Sequence, residues 1–200
     1  AVYFCELCHK VAVLLIKRSK NKDKEMAERL AEKIIGKALE WQREIRARHK
    51  YPPLKFRGQE LFRSPDFSDF EIFAELIGYG KTILERIVGK EYTRRFFDKN
   101  EYPVLKAAYL FNLAADFHIK GDDIKGLKVL DECIAILPDE ATFYYMKSLW
   151  TLDYLESVKA LKDAEKRKLI KVIYENANRT IKLAPEWKEP KDILKRVERE

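Results

Sequence analysis

Two cysteines and a histidine near the start of the chain have the types and spacing best suited to chemistry. Cys5 and Cys8 stand three positions apart, and His9 follows directly. Residues three apart on a helix lie on the same face, so both thiols can reach one edge of a flat ligand. The adjacent imidazole can bind a metal. These side chains predict covalent or metal-binding chemistry at one helix face.

The sequence Cys5-Glu6-Leu7-Cys8-His9 is similar to the C-x-x-C-H attachment motif of c-type cytochromes. The resemblance covers these five residues and not the fold. It implies thioether bonds from Cys5 and Cys8 to one covalent haem c per chain, His9 as the proximal iron ligand, and electron transfer as the activity.

The same resemblance implies a location outside the cytoplasm, in the periplasm, at the cell surface or in the extracellular space, because haem is attached there in this family. The chain begins at Ala1 without a methionine, as expected of an exported chain whose signal peptide has been removed. A shortened chain would begin in the same way, so this feature agrees with export and does not establish it.

Three other interpretations of the motif stay open. Cys5, Cys8 and His9 together with Cys133 have the ligand types of a zinc site. Cys5 and Cys8 also have the spacing of a thiol redox pair, although the β-α-β pattern that accompanies such a pair is missing. A chance pair of helical cysteines is the third. Cys133 by itself falls at a small, core-facing position, which is typical of a buried structural cysteine.

The distal iron position has few candidate ligands. His49 and His118 are the only other histidines, and Met26 and Met146 are the only methionines. Both methionines follow apolar helical stripes, which predicts core packing for each. His49 ends a long predicted helix that overshoots its neighbour near Cys5, and this slightly favours His49 over His118. A histidine from a neighbouring subunit, or no distal ligand, also stays open.

The composition is that of a globular protein. With 200 residues, 46% of them hydrophobic, the chain can build one domain or two small ones. No apolar run is long enough to predict a transmembrane helix. The net charge of +7 comes from interleaved acidic and basic residues, without the basic stripe of a nucleic-acid surface. Abundant Lys and Glu with few glutamines resemble the composition of thermophile proteins.

Helical periodicity covers most of the sequence. In the N-terminal half the predicted helices cover residues 2–20, 21 to about 49, and 68 to about 88, with a loop up to Pro65. Ser68 and Glu71 have the capping-box spacing at the start of the third helix. Gly78 and Gly80 are expected to kink or divide that helix.

Residues 103 to 187 resemble tetratricopeptide repeats. In the first copy, which Pro103 opens, apolar and small residues follow the spacing of the repeat, and a proline closes it: Leu110, Leu113, Ala114, Phe117, Gly121, Gly126, Leu130, Cys133 and Pro138. Small residues at Ala114 and Gly126 let two antiparallel helices approach closely. A degenerate second copy is expected over 140–159 and 163–183, with a capping helix over 190–200.

The sequence therefore predicts an all-α protein of antiparallel helical hairpins. Region 1–100 carries the cysteine motif, and region 101–200 forms a tetratricopeptide-like stack. The expected function is electron transfer by one haem c, as a carrier rather than an enzyme. Redox proteins are the expected partners. The chain is also expected to form an oligomer or filament that aligns the haems of successive subunits. The alternative is a haem-free scaffold that binds a protein partner, with a structural zinc at the cysteines as an option.

Overall fold

The computed structural model is all-α and built from helical hairpins, as predicted. It describes residues 2–18, 21–49, 54–56, 59–61, 67–99, 103–158 and 160–199, without the side chains of 2–6, 9, 15, 18, 21–24, 41–49, 54–56, 59–61, 67–69, 71 and 72. The elements in these ranges are α1 Val2–Arg18, α2 Asn21–His49, β1 Leu54–Phe56, β2 Gln59–Leu61, α3 Phe67–Ile87, α4 Lys90–Asp98, α5 Pro103–Ile119, α6 Asp123–Ile136, α7 Ala141–Ser157, α8 Asp163–Leu183 and α9 Glu189–Val197.

The chain divides into two compact units, Ala1–Asn112 and Leu113–Glu200. The division falls within α5, whereas the sequence places the change of region near residue 100. None of the helices in the described ranges is both long and apolar enough to cross a bilayer.

The first unit is built on the N-terminal hairpin. Helices α1 and α2 pack against each other and both pack against α3. Ala12, Ala27 and Ala31 are fully buried in this packing. Their small side chains allow the helices to approach closely. Met26, on the other hand, is 56% exposed, so the predicted core packing of Met26 is wrong. Met146, on α7, is half-buried.

Aromatic side chains fill the core where α3, α4 and the start of α5 meet. Phe70 contacts Phe111 edge to face, with ring centroids 5.6 Å apart. Phe97 of α4 stacks on Tyr109 of α5 at 4.7 Å. Such ring pairs add stability beyond the area that they bury. They hold α5 against α3 and α4.

Two N-terminal predictions need correction. The segment predicted as a loop up to Pro65 contains β1 and β2, which pair antiparallel with Leu54 opposite Leu61. Helix α3 runs unbroken through Gly78 and Gly80, so the expected division there is wrong. The chain instead leaves the helix at Gly89, whose φ of 87° favours glycine.

The second unit contains the end of α5 and the helices α6 to α9, which are most of the region that resembles tetratricopeptide repeats. Its core includes fully buried Leu130 and Phe143, and a further apolar cluster joins α7, α8 and α9 through residues such as Leu152, Ile173 and Ile193. The expected close approach at Ala114 and Gly126 is confirmed. A Cβ atom at Gly126 would lie 3.1 Å from the carbonyl oxygen of Ala114.

This close approach predicts that Gly126→Ala destabilises the protein. The added methyl group would press on a backbone oxygen, and overpacking of this kind costs about 1–3 kcal/mol. Alanine recovers up to about 1 kcal/mol of helix propensity, so we expect a net loss of about 1 kcal/mol in the free energy of unfolding. Urea unfolding of the variant measures this loss.

Gly36→Ala is the matched control for Gly126→Ala. Gly36 is exposed in α2, and an added Cβ atom would have no neighbour within 4 Å among the described atoms. We expect this variant to gain up to about 1 kcal/mol from helix propensity alone. Equal changes in the two variants would show that the contact with Ala114 has no energetic consequence.

Candidate functional site

The motif formed by Cys5, Cys8 and His9 lies entirely within helix α1. The helical spacing on which its chemistry depends is therefore present in the main chain. Of the three side chains, only that of Cys8 belongs to the described set. The predicted positions of the Cys5 thiol and the His9 imidazole lie outside it.

Cys8 is buried in the first unit, with 7% of the residue exposed. Ala12, one turn further along α1, is fully buried on the same face. Burial raises the pKa of the Cys8 thiol, and the positive charge of Lys33 on α2 opposes this effect. The thiol is therefore protonated and weakly nucleophilic near neutral pH.

Another face of α1 is apolar and exposed. Leu7, Val11 and Leu14 recur there at spacings of four and three residues. Lys10 and Lys17, both exposed, lie beside this stripe. Helix α1 thus buries one apolar face and leaves a second open to solvent.

A covalent haem at this motif has two requirements, an apolar surface and access to the thiols. The surroundings of Cys8 meet the first, because a thioether sulfur is stable in an apolar environment. They do not meet the second, because the neighbouring helices cover the thiol. The described side chains therefore fit a buried cysteine better than an open attachment point.

Of the two histidines predicted as distal ligands, the structure describes the side chain of His118 only. His49 is the last residue of α2, and its side chain lies outside the described set. His118, near the end of α5, is 27% exposed and stacks on Trp150 at 4.6 Å. Its Nδ1 atom lies 2.6 Å from Oδ1 of Asp123. A carboxylate at Nδ1 orients the ring and leaves Nε2 as the nitrogen for other contacts.

Nε2 of His118 faces a charged cluster. It lies 4.0 Å from Oδ2 of Asp153 on α7. Burial raises the pKa of Asp153, while His118 and Arg196 act in the opposite direction. Arg196 of α9 also binds Glu156 at 2.8 Å. The cluster joins helices that are distant in sequence, so periodicity could not reveal it, and the role of His118 as a distal ligand stays a prediction.

Cys133 is a core residue. It is fully buried in α6, which confirms the core-facing position predicted for it. Burial strongly raises the pKa of its thiol, with a smaller effect of the same sign from Glu132. No group of three or more metal-ligating side chains comes together in the described part of the chain. Because the Cys5 and His9 side chains are not part of it, the zinc interpretation also stays a prediction.

The buried thiol of Cys133 predicts a loss of stability at alkaline pH. Above its ordinary pKa of 9.0 the unfolded chain releases the thiol proton, whereas the folded chain retains it. The free energy of unfolding then falls by about 1.4 kcal/mol for each pH unit above that value. Urea unfolding of wild type and Cys133→Ala at several pH values measures this fall.

The variant should lack this part of the alkaline loss. At neutral pH the two proteins differ by a constant, which is subtracted before the profiles are compared. Parallel profiles between pH 8 and pH 10 would show that Cys133 ionises as readily in the folded protein as in the unfolded one.

Comparison with protein-family models, with curated proteins and with solved structures found no match for the chain. The function proposed for it rests on its own residues and geometry.

Proposed function

We propose that the chain is an electron-transfer protein that carries one covalently attached haem c. The observation that carries the proposal is the placement of Cys5, Cys8 and His9 within the single helix α1. In this proposal the two cysteines form the thioether bonds and His9 is the proximal iron ligand. Bound haem iron would supply one-electron oxidation and reduction.

The rest of the proposal concerns the surroundings of the haem. His49 or His118 is the distal ligand, from the same chain or from a neighbouring subunit. A single haem exchanges electrons usefully only when another redox centre comes close, so we propose an oligomer or filament that aligns the haems, with redox proteins as partners. Haem attachment places the protein outside the cytoplasm. Because Cys8 is buried, this proposal requires α1 to pack differently when the haem is attached.

The second candidate function is a haem-free helical scaffold that binds a protein partner. The burial of Cys8 favours it, because the thiol already has a packing role that needs no cofactor. The helical hairpins of the second unit also favour it, since repeat-like stacks present extended surfaces to partners. In this case Cys5 and Cys8 are structural or bind zinc.

One experiment separates the two candidates. Protein purified from its native source, without added haem, is examined by its reduced-minus-oxidised visible spectrum and then by intact mass after denaturation. Sharp α and β bands with the haem mass retained support the electron carrier. A colourless protein with the mass of the bare chain contradicts it.

The colourless outcome needs one further measurement. Metal analysis of the same sample then distinguishes bound zinc from metal-free cysteines. One zinc per chain, lost when Cys5 and Cys8 are replaced by serine, identifies the structural site. A metal-free chain leaves the scaffold with incidental cysteines.

A further inference from the structure

A groove runs along the surface of the second unit between α6, α7 and α8. It holds about 390 Å³ of space and is open to solvent. Its apolar lining comes from all three helices and from the connection that precedes α8, through Ile124, Leu127, Tyr154, Leu161 and Leu169. The groove belongs to the second unit, whereas the cysteine motif belongs to the first.

The groove exposes apolar surface that the fold does not use. Ile124, in the first turn of α6, is 53% exposed. Leu127, Leu161 and Leu169 are half-buried, so each also presents part of its surface to the groove. Apolar side chains that line an open groove can bury the apolar face of a bound helix.

The acidic side chains at the groove are already satisfied within the chain. Asp131 of α6 forms an ion pair with Lys147 of α7. Glu165 of α8 accepts a hydrogen bond at 3.2 Å from the main-chain N–H of Lys162, which begins the helix. Lys147 thus neutralises Asp131, whereas Glu165 keeps its negative charge at the start of α8. Among the lining residues, two lysines therefore face one carboxylate that no lysine or arginine neutralises in the described part of the chain.

The basic side chains are not satisfied in this way. Lys128 on α6 and Lys168 on α8 line the same groove and have no ion-pair partner in the ranges that the structure describes. The result is an apolar groove lined from two helices by positive charges that lack partners. The complementary ligand is apolar in the middle and acidic along its edges.

We propose that this groove binds an amphipathic helix of a partner protein whose apolar face is flanked by acidic side chains. An open groove suits a helix, which contacts it through apolar residues at i, i+3, i+4 and i+7, whereas small-molecule sites enclose most of their ligand. The exposed stripe of α1 is a poor occupant. Lys10 and Lys17 beside that stripe have the same sign of charge as Lys128 and Lys168. This inference rests on the partner-binding function and names the chemistry of the partner.

The test uses two fluorescein-labelled model helices of about 20 residues, long enough to be helical in water. Both have leucines at i, i+3, i+4 and i+7, flanked by glutamates in one and by lysines in the other. Fluorescence anisotropy with the full chain measures the two affinities. We expect the glutamate helix to bind at least about tenfold more tightly, with an affinity that falls as salt is raised.

Groove variants locate the binding. Lys128→Glu with Lys168→Glu should reverse the preference between the two helices, and Ile124→Ser should weaken both. The matched control is Lys182→Glu with Lys191→Glu, which changes the net charge equally at exposed lysines that do not line the groove. The control should leave the affinities within about twofold of wild type, because neither lysine lines the groove.

Four results would overturn the inference. The first is that neither helix binds, and the second is that the control variant changes the affinities as much as the groove variants do. The third is that dodecanoate displaces the glutamate helix. The fourth is that the wild-type chain self-associates and Ile124→Ser makes it monomeric in sedimentation. The third would identify a small amphipathic anion as the occupant, and the fourth a second copy of the chain. None depends on the visible spectrum or on the retained mass, so the groove and the haem proposal can fail separately.

Discussion

Replacement of Cys5 and Cys8 together by alanine is expected to abolish all haem retained after denaturation, together with the sharp α and β bands of the reduced protein. The proposed attachment consists of two thioether bonds, and the double variant removes both sulfur atoms. Intact mass of the denatured protein measures the loss directly. A haem held only by its iron ligands would dissociate during denaturation and leave the mass of the bare chain.

Cys133→Ala is the control for this variant. Cys133 is the third cysteine and is fully buried in the core of the second unit, so its removal should leave the haem content unchanged. Each single variant, Cys5→Ala or Cys8→Ala, should retain haem through the remaining thioether bond. Haem that stays covalently bound in the double variant would show that the cysteines are not its attachment points.

The helices with strong local signals are predicted well from the sequence. Helix α8 covers Asp163–Leu183, as expected. Glu165 accepts from the main-chain N–H at the start of this helix, which is a local interaction that the sequence can reveal. Pro103 likewise begins α5, because proline suits the first turn.

Errors arise where contacts distant in sequence decide the structure. The sequence predicted that Gly78 and Gly80 kink or divide the helix. A Cβ atom at Gly80 would in fact lie 2.9 Å from Cγ1 of Ile35 on α2. The glycine therefore permits close packing of α2 against α3 within a continuous helix. Met26 was expected in the core because it lies on an apolar stripe, yet alanines such as Ala27 and Ala31 face the neighbouring helices and leave Met26 exposed.

The candidate sites show the same difference. The cysteine motif needs only three residues in one helix, so the sequence is sufficient to find it. The stacking of His118 on Trp150 and its contact with Asp123 depend on how α5, α6 and α7 pack. The groove depends on how α6, α7 and α8 pack and on which charged side chains already form ion pairs. No pattern in the sequence predicts the packing or the pairing.

Gly78→Ala is expected to lower the free energy of unfolding by about 2 kcal/mol, although alanine is the better helix former. An added Cβ atom would lie 2.6 Å from Oδ1 of Asn112. Nδ2 of Asn112 donates to the carbonyl oxygens of Ala74 at 2.7 Å and Ala108 at 2.8 Å, so the amide cannot move without losing these bonds. Loss of two hydrogen bonds with the accompanying strain costs about 3 kcal/mol, and helix propensity returns up to about 1 kcal/mol.

The sign of this effect should reverse when Asn112 is shortened. In the Asn112→Ala background the clash is absent, so Gly78→Ala should raise the free energy of unfolding by up to about 1 kcal/mol. The double-mutant cycle then gives a coupling of about 3 kcal/mol between the two positions, measured by urea unfolding of the four proteins. Gly36→Ala should be stabilising in both backgrounds, because nothing described lies near its Cβ position. If Gly78→Ala stays destabilising without the Asn112 amide, the close contact between these two residues is not what requires glycine at this position.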